Sequence, residues 1–572
     1  MKWHGYSALH LKINQLKPFQ IEAMSAYSSG KDVAVLQATS SGKSICFQLP
    51  ALMLQDRQYG LVIVPTLSLG FSLVEDFHEM KLPSIFLHAK TSRDDRKKAF
   101  GNEIKCIIAT PETVFGTCEN FKGILEKIDV NRLAFIAIDE GHLVYEWARF
   151  RAAYHDVRKL KTLFSTPIIV TTATMKPNTL SDMQTSILRN PTIIRGTIDR
   201  PNVAIKISSY SLATAADMKE DPNRNKWYST AKQVMKIVGE EERAIVYCAY
   251  AEDVRLFCSC LLQFGVQAAS FTGKDTNQDK REVFNNMKNG TIRILVGTKA
   301  VGLGINFPDL RYIIAVGLPE NLELWIQEFG RAGRDQKQSY ACILVNERED
   351  IKKIQMWTSS TELSDLQRNE VKLDFLMVWR YYSQIFIGEC LRSFQKKYFE
   401  DIEDTQEQIS APHLCCSGCE IRSKLDFQTN QTLLLLLKAL EYLESKGIDK
   451  IYESRLLTWM CGKPGTKDNW ISSTFDKNDL DNELSYGCLS SKKLTVSDCE
   501  DTIRAILRQC YALGFAEIQL SLLKGKSFTV KHWNVTELGR KVAKGEVANP
   551  DLPIPMEVMA YFRYKINIGK LS

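Results

Sequence analysis

The sequence predicts an α/β fold class: two tandem parallel-sheet domains, then a helical segment bearing cysteines, then a helix-plus-hairpin module of winged-helix type. Three observations predict it. Short β-branched runs alternate with helical patterns as far as residue 200. A second alternation of the same kind runs to about residue 350. Beyond it the pattern turns helical, and cysteines cluster between Cys390 and Cys419. A chain of 572 residues is too long for one hydrophobic core and must divide. Its 44% hydrophobic and 25% charged residues exclude global disorder and fibrous architecture. A net charge of +7 permits nucleic acid as a partner without requiring it.

In the first block the expected strands are Val33–Leu36, Leu61–Val64, Cys106–Ala109, Phe135–Ile138 and Ile168–Thr171. Each is short, apolar and bounded by polar or turn residues, as in strands buried on both faces of a parallel sheet. The second block offers Ala244–Tyr247, Gln267–Phe271, Ile292–Val296, Tyr312–Val316 and Cys342–Val345. Asp199-Arg200-Pro201-Asn202 divides the two blocks, and the polar stretch Ala213–Lys226 reads as an exposed loop. Glu362–Phe386 contains no Pro or Gly and reads as helix, as does the region opening on Leu433–Leu437. Phe515–Leu523 and Phe528–Val535 flank Lys524-Gly525-Lys526-Ser527 as a β-hairpin. The expected boundaries are 1–200, 201–350, 351–428 and 429–548, with a tail over 549–572.

No apolar run reaches membrane-spanning length. The longest candidate, Leu61 to Val74, is interrupted by Pro65, Ser68 and Gly70. The N-terminus lacks the apolar stretch of a secretory signal. Fifteen cysteines in such a chain suggest a reducing compartment, where a cysteine cluster signals metal or catalysis.

Three strings carry chemistry. Ala38-Thr39-Ser40-Ser41-Gly42-Lys43-Ser44 follows a strand and should open a helix. A phosphate site needs backbone N–H groups at a helix N-terminus, a lysine for the β/γ oxygens and a hydroxyl for Mg²⁺. Lys43 and Ser44 supply the last two, although Gln37 stands where the first glycine of the Walker pattern belongs. Asp139-Glu140-Gly141-His142 directly follows a strand. There Asp139 can hold Mg²⁺ and Glu140 can polarise a water. Gln327-Glu328-Phe329-Gly330-Arg331-Ala332-Gly333-Arg334-Asp335 offers Arg331 and Arg334, permanently charged, to a γ-phosphate across a cleft. Separately, Cys390, Cys415, Cys416 and Cys419 have the composition of a closed four-thiolate zinc site, with His413 a rival to Cys415.

In this order and spacing the three strings resemble motifs I, II and VI of a superfamily 2 helicase, and more narrowly the RecQ family of DNA helicases. Leu16-Lys17-Pro18-Phe19-Gln20 is similar to the family's adenine-sensing motif, with Gln20 as base reader. Leu61–Leu69, Thr172-Ala173-Thr174, Ile245–Cys248 and Gly297–Asn306, the last containing Gly304, resemble motifs Ia, III, IV and V. The resemblance runs from about residue 10 to 420 and more weakly to about 545.

It implies two RecA-like domains, a zinc-binding subdomain and a winged helix. It implies ATP, Mg²⁺ and Zn²⁺, with Lys17, Gln20, Thr39, Ser40, Ser41, Gly42, Lys43, Ser44 and Gly304 around the nucleotide. It implies 3′→5′ movement on single-stranded or forked DNA, in repair, recombination or replication, in a nucleus if the source is eukaryotic. The family's aromatic-rich loop after motif II corresponds to His142–Arg151, so Trp147, Phe150 and Arg151 are implied at single-stranded DNA. The pair Cys415-Cys416 is similar to the Werner syndrome helicase arrangement and favours Cys415 over His413. Four departures stand out: Ser40 for glycine, DEGH for DEAH, an aromatic loop one residue short, and no Asp-Gln after motif Ia. They leave a DNA-binding protein of weak catalytic power, specialised for junctions, as the alternative. An RNA helicase is the third option.

The resemblance also assigns Phe528, beside Lys524 and Lys526, to a hairpin tip that stacks at the duplex fork. Phe528→Ala is therefore expected to lower duplex unwinding more than DNA-stimulated ATP hydrolysis, because base–aromatic stacking is worth ~1–3 kcal/mol. Trp147→Ala should instead abolish stimulation by DNA while basal hydrolysis persists. Parallel losses in the two assays for both variants would refute this division of labour.

Overall fold

A computed structural model describes residues 15–39, 41–116, 123–149, 151–213, 225–302, 307–359, 363–401, 409–448, 450–461, 496–522 and 529–553. The first sheet has the order β3-β4-β2-β5-β6-β1-β7, all parallel. Its strands are β1 Val33–Leu36, β2 Tyr59–Ile63, β3 Ser84–Leu87, β4 Cys106–Ala109, β5 Leu133–Asp139, β6 Ile168–Thr172 and β7 Thr192–Arg195. Nearly every residue of β1, β2, β4, β5 and β6 is buried, as the uninterrupted apolar runs require. Helices such as Pro18–Ser28, Ile45–Leu52 and Leu67–Glu79 pack between the strands in sequence, the α/β alternation of the reading.

The second sheet is also parallel, in the order β10-β11-β9-β12-β13-β8. It comprises β8 Val203–Ser209, β9 Ala244–Tyr247, β10 Ala268–Phe271, β11 Ile294–Gly297, β12 Tyr312–Val316 and β13 Ser339–Val345. Three strands of the two parallel sheets lie outside the expected set: β3, β7 and β8. All three are edge strands of their sheets. β8 carries Lys206, Ser208 and Ser209, so it lacks the apolar run of a central strand.

The segment expected to be helical over Glu362–Phe386 is the helix Asp365–Ser383, continued by a 3₁₀ turn over Gln384–Ile387. The Ser364 hydroxyl accepts from the Gln367 N–H and the Gln367 side chain reaches back, a capping box that fixes the start. Gly388, at φ +65°, turns the chain out of the helical conformation. Phe375, Val378, Trp379, Tyr381 and Tyr382 of this helix are buried in one core with residues of the second sheet, the cysteine helices and the C-terminal module.

In that module the helices Gln431–Ser445, Glu453–Cys461 and Val496–Leu513 precede an antiparallel pair, β15 Ala516–Leu522 and β16 Thr529–Val535. The expected tip lies outside the described residues. β14 Phe427–Thr429 pairs antiparallel with β17 Asp551–Pro553.

A buried ionic network ties this module to the second sheet. Arg508 donates to Glu347 and Glu453 and sits between the rings of Trp379 and Trp533, 5.5 Å from each centroid. Lys531 of β16 reaches Glu347 at 3.2 Å and Glu453 at 2.6 Å. Burial works to raise the Glu347 carboxyl, but Arg508 and Lys531 overcome it and hold the group below the ordinary carboxylate range. Arg508→Met would leave two carboxylates leaning on Lys531. It should destabilise the unit by about 3 kcal/mol, the lower end for a broken buried pair because the carboxylates are partly exposed. Thermal unfolding followed by tryptophan fluorescence checks this, and an unchanged transition would contradict it.

Candidate active site

The loop 37–44 leaves β1 and enters the helix Ile45–Leu52. Gly42 stands at φ +92°, and an added Cβ would lie 2.9 Å from the Gln20 amide nitrogen, so two constraints select glycine there. Gln20 is buried and donates to the Gly42 carbonyl at 3.0 Å, while Lys17 Nζ donates to the Ser41 carbonyl at 2.8 Å. Both thus brace the loop. Lys43 Nζ donates to the carbonyls of Gln37 and Ala38 at 2.8 and 3.0 Å. Burial lowers its pKa, and Glu140 and Asp139 oppose that shift. Ser44 precedes the helix without capping it through its side chain. Thr39 Oγ1 donates across the cleft to the Gly330 carbonyl at 3.0 Å. Ser40 and Gly304 lie outside the described residues.

Asp139 ends β5 opposite Thr171 of β6, whose hydroxyl donates to it at 2.7 Å. Burial, aided by Glu140, pushes the Asp139 carboxyl up to about 6. Glu140 follows at φ +52°, a left-handed conformation unusual for this residue type, and its buried Oε2 makes no hydrogen bond. His142 Nε2 accepts from the Gln327 amide at 2.7 Å, and His142 Nδ1 lies 2.8 Å from Thr172 Oγ1. Thr172 donates its own proton to the Thr174 carbonyl, so its oxygen accepts from His142 Nδ1–H. Burial, then Lys43, holds the imidazole pKa down near 3, so His142 is neutral and this tautomer is fixed. The relay runs from the second domain, through His142, to the segment after β6.

The helix Leu322–Phe329 delivers Gln327 and then the turn bearing Arg331 and Arg334. Arg331 is buried, with its Nε free of hydrogen bonds. Burial, Arg331 and Arg200 lower the Arg334 pKa to about 10, and the Arg334 charge in turn lowers that of Lys43 across the cleft. Arg200 holds the turn, donating to the carbonyls of Gly330, Ala332 and Gly333 at 2.8, 3.0 and 2.8 Å. Arg392 donates to Asp199 and to the Arg200 carbonyl. Sequence reasoning treated 199–202 as a divider and assigned no role to Arg200, Arg392, His142 or Gln327. His142 and Gln327 do lie inside the strings it singled out.

The Sγ atoms of Cys390, Cys415, Cys416 and Cys419 all lie within 4.8 Å of one another, and His413 is not in the group. The Cys390–Cys415 and Cys415–Cys419 separations are 3.7 and 3.6 Å. Tetrahedral Zn–S bonds of ~2.3 Å place sulfurs about 3.8 Å apart, so the donors fit that ion. The cluster docks on β8: Ser417 Oγ accepts from the Ile207 N–H at 2.9 Å, and Lys206 pairs with Glu420 at 2.7 Å, both groups buried.

A cleft of about 1440 Å³ opens between the two sheets and the helix Asp365–Ser383. Trp147, Arg158, Lys176, Lys280 and Lys299 are among the residues lining it. The Arg151 guanidinium lies 4.8 Å from the ring centroids of both Trp147 and Tyr154. It also forks onto Glu112 at 2.7 and 2.8 Å, beside a second cavity of about 210 Å³. Phe150, Lys524, Lys526 and Phe528 lie outside the described residues.

The DEAD/DEAH box helicase family model matches residues 17–183, and the helicase conserved C-terminal domain matches 229–336. A putative ATP-dependent DNA helicase Q1 of Caenorhabditis briggsae is 30% identical over 72% of this chain and 64% of its own. The ATP-dependent DNA helicase Q1 of Pongo abelii is 26% identical, over 83% and 71%. The chain carries both helicase domains and is similar to Q1-type DNA helicases. A putative ATP-dependent RNA helicase of Acanthamoeba polyphaga mimivirus is 27% identical, over 74% of the chain and 75% of that protein. The two domain matches fall on the two parallel sheets, and the four-cysteine group follows them in the chain. Among the described residues, no helix is long and apolar enough to cross a membrane.

Proposed function

We propose that this RecQ-type protein is an ATP-dependent DNA helicase that moves 3′→5′ along one strand and separates duplex DNA, in repair, recombination or replication within a nucleus. One observation carries the reading. Lys43 lies within electrostatic reach of Glu140 and Asp139 of the first domain and of Arg334 of the second, and Thr39 of the same loop meets the Gly330 carbonyl of the arginine turn at 3.0 Å. Such convergence suits a reaction whose charge develops between the domains.

In this reading ATP is the substrate. Lys43 leaves the Gln37 and Ala38 carbonyls for the β/γ-phosphates. Ser44 and Asp139 would hold Mg²⁺, which when bound neutralises charge on the phosphate oxygens. Glu140 Oε2 is buried without a hydrogen-bond partner and is placed to accept from the attacking water. Arg331 and Arg334 stabilise the charge that develops in the transition state. Thr39, Ser40, Ser41, Gly42 and Gly304 complete the phosphate cradle, and Lys17 and Gln20 report the base through the loop they brace. Cys390, Cys415, Cys416 and Cys419 would hold a structural Zn²⁺.

Trp147, Phe150 and Arg151 meet the single strand. The helices and hairpin of 429–548 act as a winged helix, with Lys524, Lys526 and Phe528 at the fork. The domain limits 1–200, 201–350 and 351–428, with the tail 549–572, belong to the same reading.

The deciding measurement is ATP turnover with and without single-stranded DNA or RNA. The wild type should be stimulated by DNA, and Lys43→Ala should lose turnover while retaining DNA binding, since DNA contacts lie on other surfaces. Hydrolysis near wild type in Lys43→Ala, or stimulation by RNA alone, would sink the reading. Arg334→Ala should lower kcat by roughly 10³-fold with little change in ATP affinity. A rise in KM at constant kcat would make it a ground-state contact instead.

Metal analysis should find one zinc per chain. His413→Ala should keep it and Cys415→Ser should lose it, the reverse pattern being the contrary result. Because Arg392 adjoins Cys390, metal loss should reach the arginine turn as well as the DNA-binding platform.

A further inference from the structure

Among the described residues, contacts at Thr39, His142 and Lys176 cross the cleft between the two sheets. Thr39 meets the Gly330 carbonyl and Gln327 meets His142, both without full charge. The third is ionic. Lys176, immediately before the helix Pro177–Ser186 of the first domain, places Nζ 3.3 Å from Glu323 Oε1 and 2.6 Å from Asp374 Oδ1. Glu323 lies in the first turn of Leu322–Phe329, and Asp374 lies on the long helix Asp365–Ser383. Only 2% of the Glu323 side chain is exposed, and neither of its oxygens makes a well-formed hydrogen bond. Burial raises its carboxyl pKa, and Lys176 is the foremost group opposing that. A buried carboxylate in this state is tolerated only beside its cation.

We infer that Lys176 is a positioning residue for ATP turnover, an interdomain latch that keeps Glu323 buried and so sets the helix carrying Gln327 and the arginine turn. The inference rests on reading the cleft as the site of hydrolysis. Glu323 and Gln327 are four residues apart, hence on one face of their helix, and each holds a different residue of the first domain. Arg331 follows four residues later on the same chain segment. When the domains part, water reaches Glu323 and the lysine is dispensable. When they close without Lys176, the carboxylate is stranded. Removing the lysine therefore penalises the closed arrangement alone. Neutralising Glu323 removes the larger part of that penalty, because a glutamine amide needs no counter-charge and Asp374, the other partner of Lys176, keeps 18% of its side chain exposed to water.

The test is a double-mutant cycle with two readouts. Interdomain distance is followed by fluorescence transfer between dyes on the two RecA-like domains, and kcat and KM for ATP are measured with single-stranded DNA. Lys176→Met should shift the population toward separated domains and lower kcat/KM by roughly 150-fold or more, the scale of a broken buried pair. Glu323→Gln should stay within about threefold of wild type, and the double variant should return to that level in both readouts. Charge reversal, Glu323→Lys with and without Lys176→Glu, repeats the cycle should the methionine variant fail to fold. Equal losses in the single and double variants, or wild-type closure in Lys176→Met, overturn the latch. The distance readout stands without turnover, so an inactive wild type would sink the helicase reading while the latch is still decided by closure.

Discussion

A buried guanidinium needs most of its donors met by oxygen, and two such groups in series hold the arginine turn. Arg392, wholly buried, donates to Asp199 and to the Arg200 and Val203 carbonyls. Arg200 donates to three carbonyls of the turn that carries Arg331 and Arg334. The series begins two residues from Cys390 and ends at the cleft, so the position of the turn bearing Arg331 and Arg334 is set from the cysteine cluster. The preference for guanidinium over ammonium is physical: its planar fork can reach three carbonyls at once.

The packing falls into two bodies. Residues of the second sheet, the long helix Asp365–Ser383, the cysteine helices and the C-terminal module share one continuous core, whereas the first sheet has cores of its own on its two faces. Closure of the cleft is thus a movement of one body against a larger one. The hairpin belongs to the larger, because Lys531 of β16 is bound to Glu347 and Glu453.

Central strands were legible because burial on both faces demands an unbroken apolar run. Val33–Leu36, Cys106–Ala109, Ala244–Tyr247 and Tyr312–Val316 lie at their expected limits. β8 was not legible, because its polarity answers to partners more than 200 residues away, Lys206 to Glu420 above all. The site divides in the same way. Lys43, Asp139, Glu140, Arg331 and Arg334 stand in compact strings, since phosphate chemistry needs several groups on one turn. Their supports do not: Arg200 meets Gly330, and His142 meets Gln327 185 residues away. Such pairs leave no local pattern to read.

The pairing of β14 with β17 has a topological consequence. The strand that leads into the C-terminal module and the strand that leads out lie side by side, with Phe427 opposite Pro553. The intervening chain is thereby closed at its own ends, in addition to the ionic network that ties it to the second sheet. Lengthening a connection inside such a loop leaves the paired ends where they are and adds only the slowly growing entropy of a longer loop. The segment can therefore take up longer connections without moving either end.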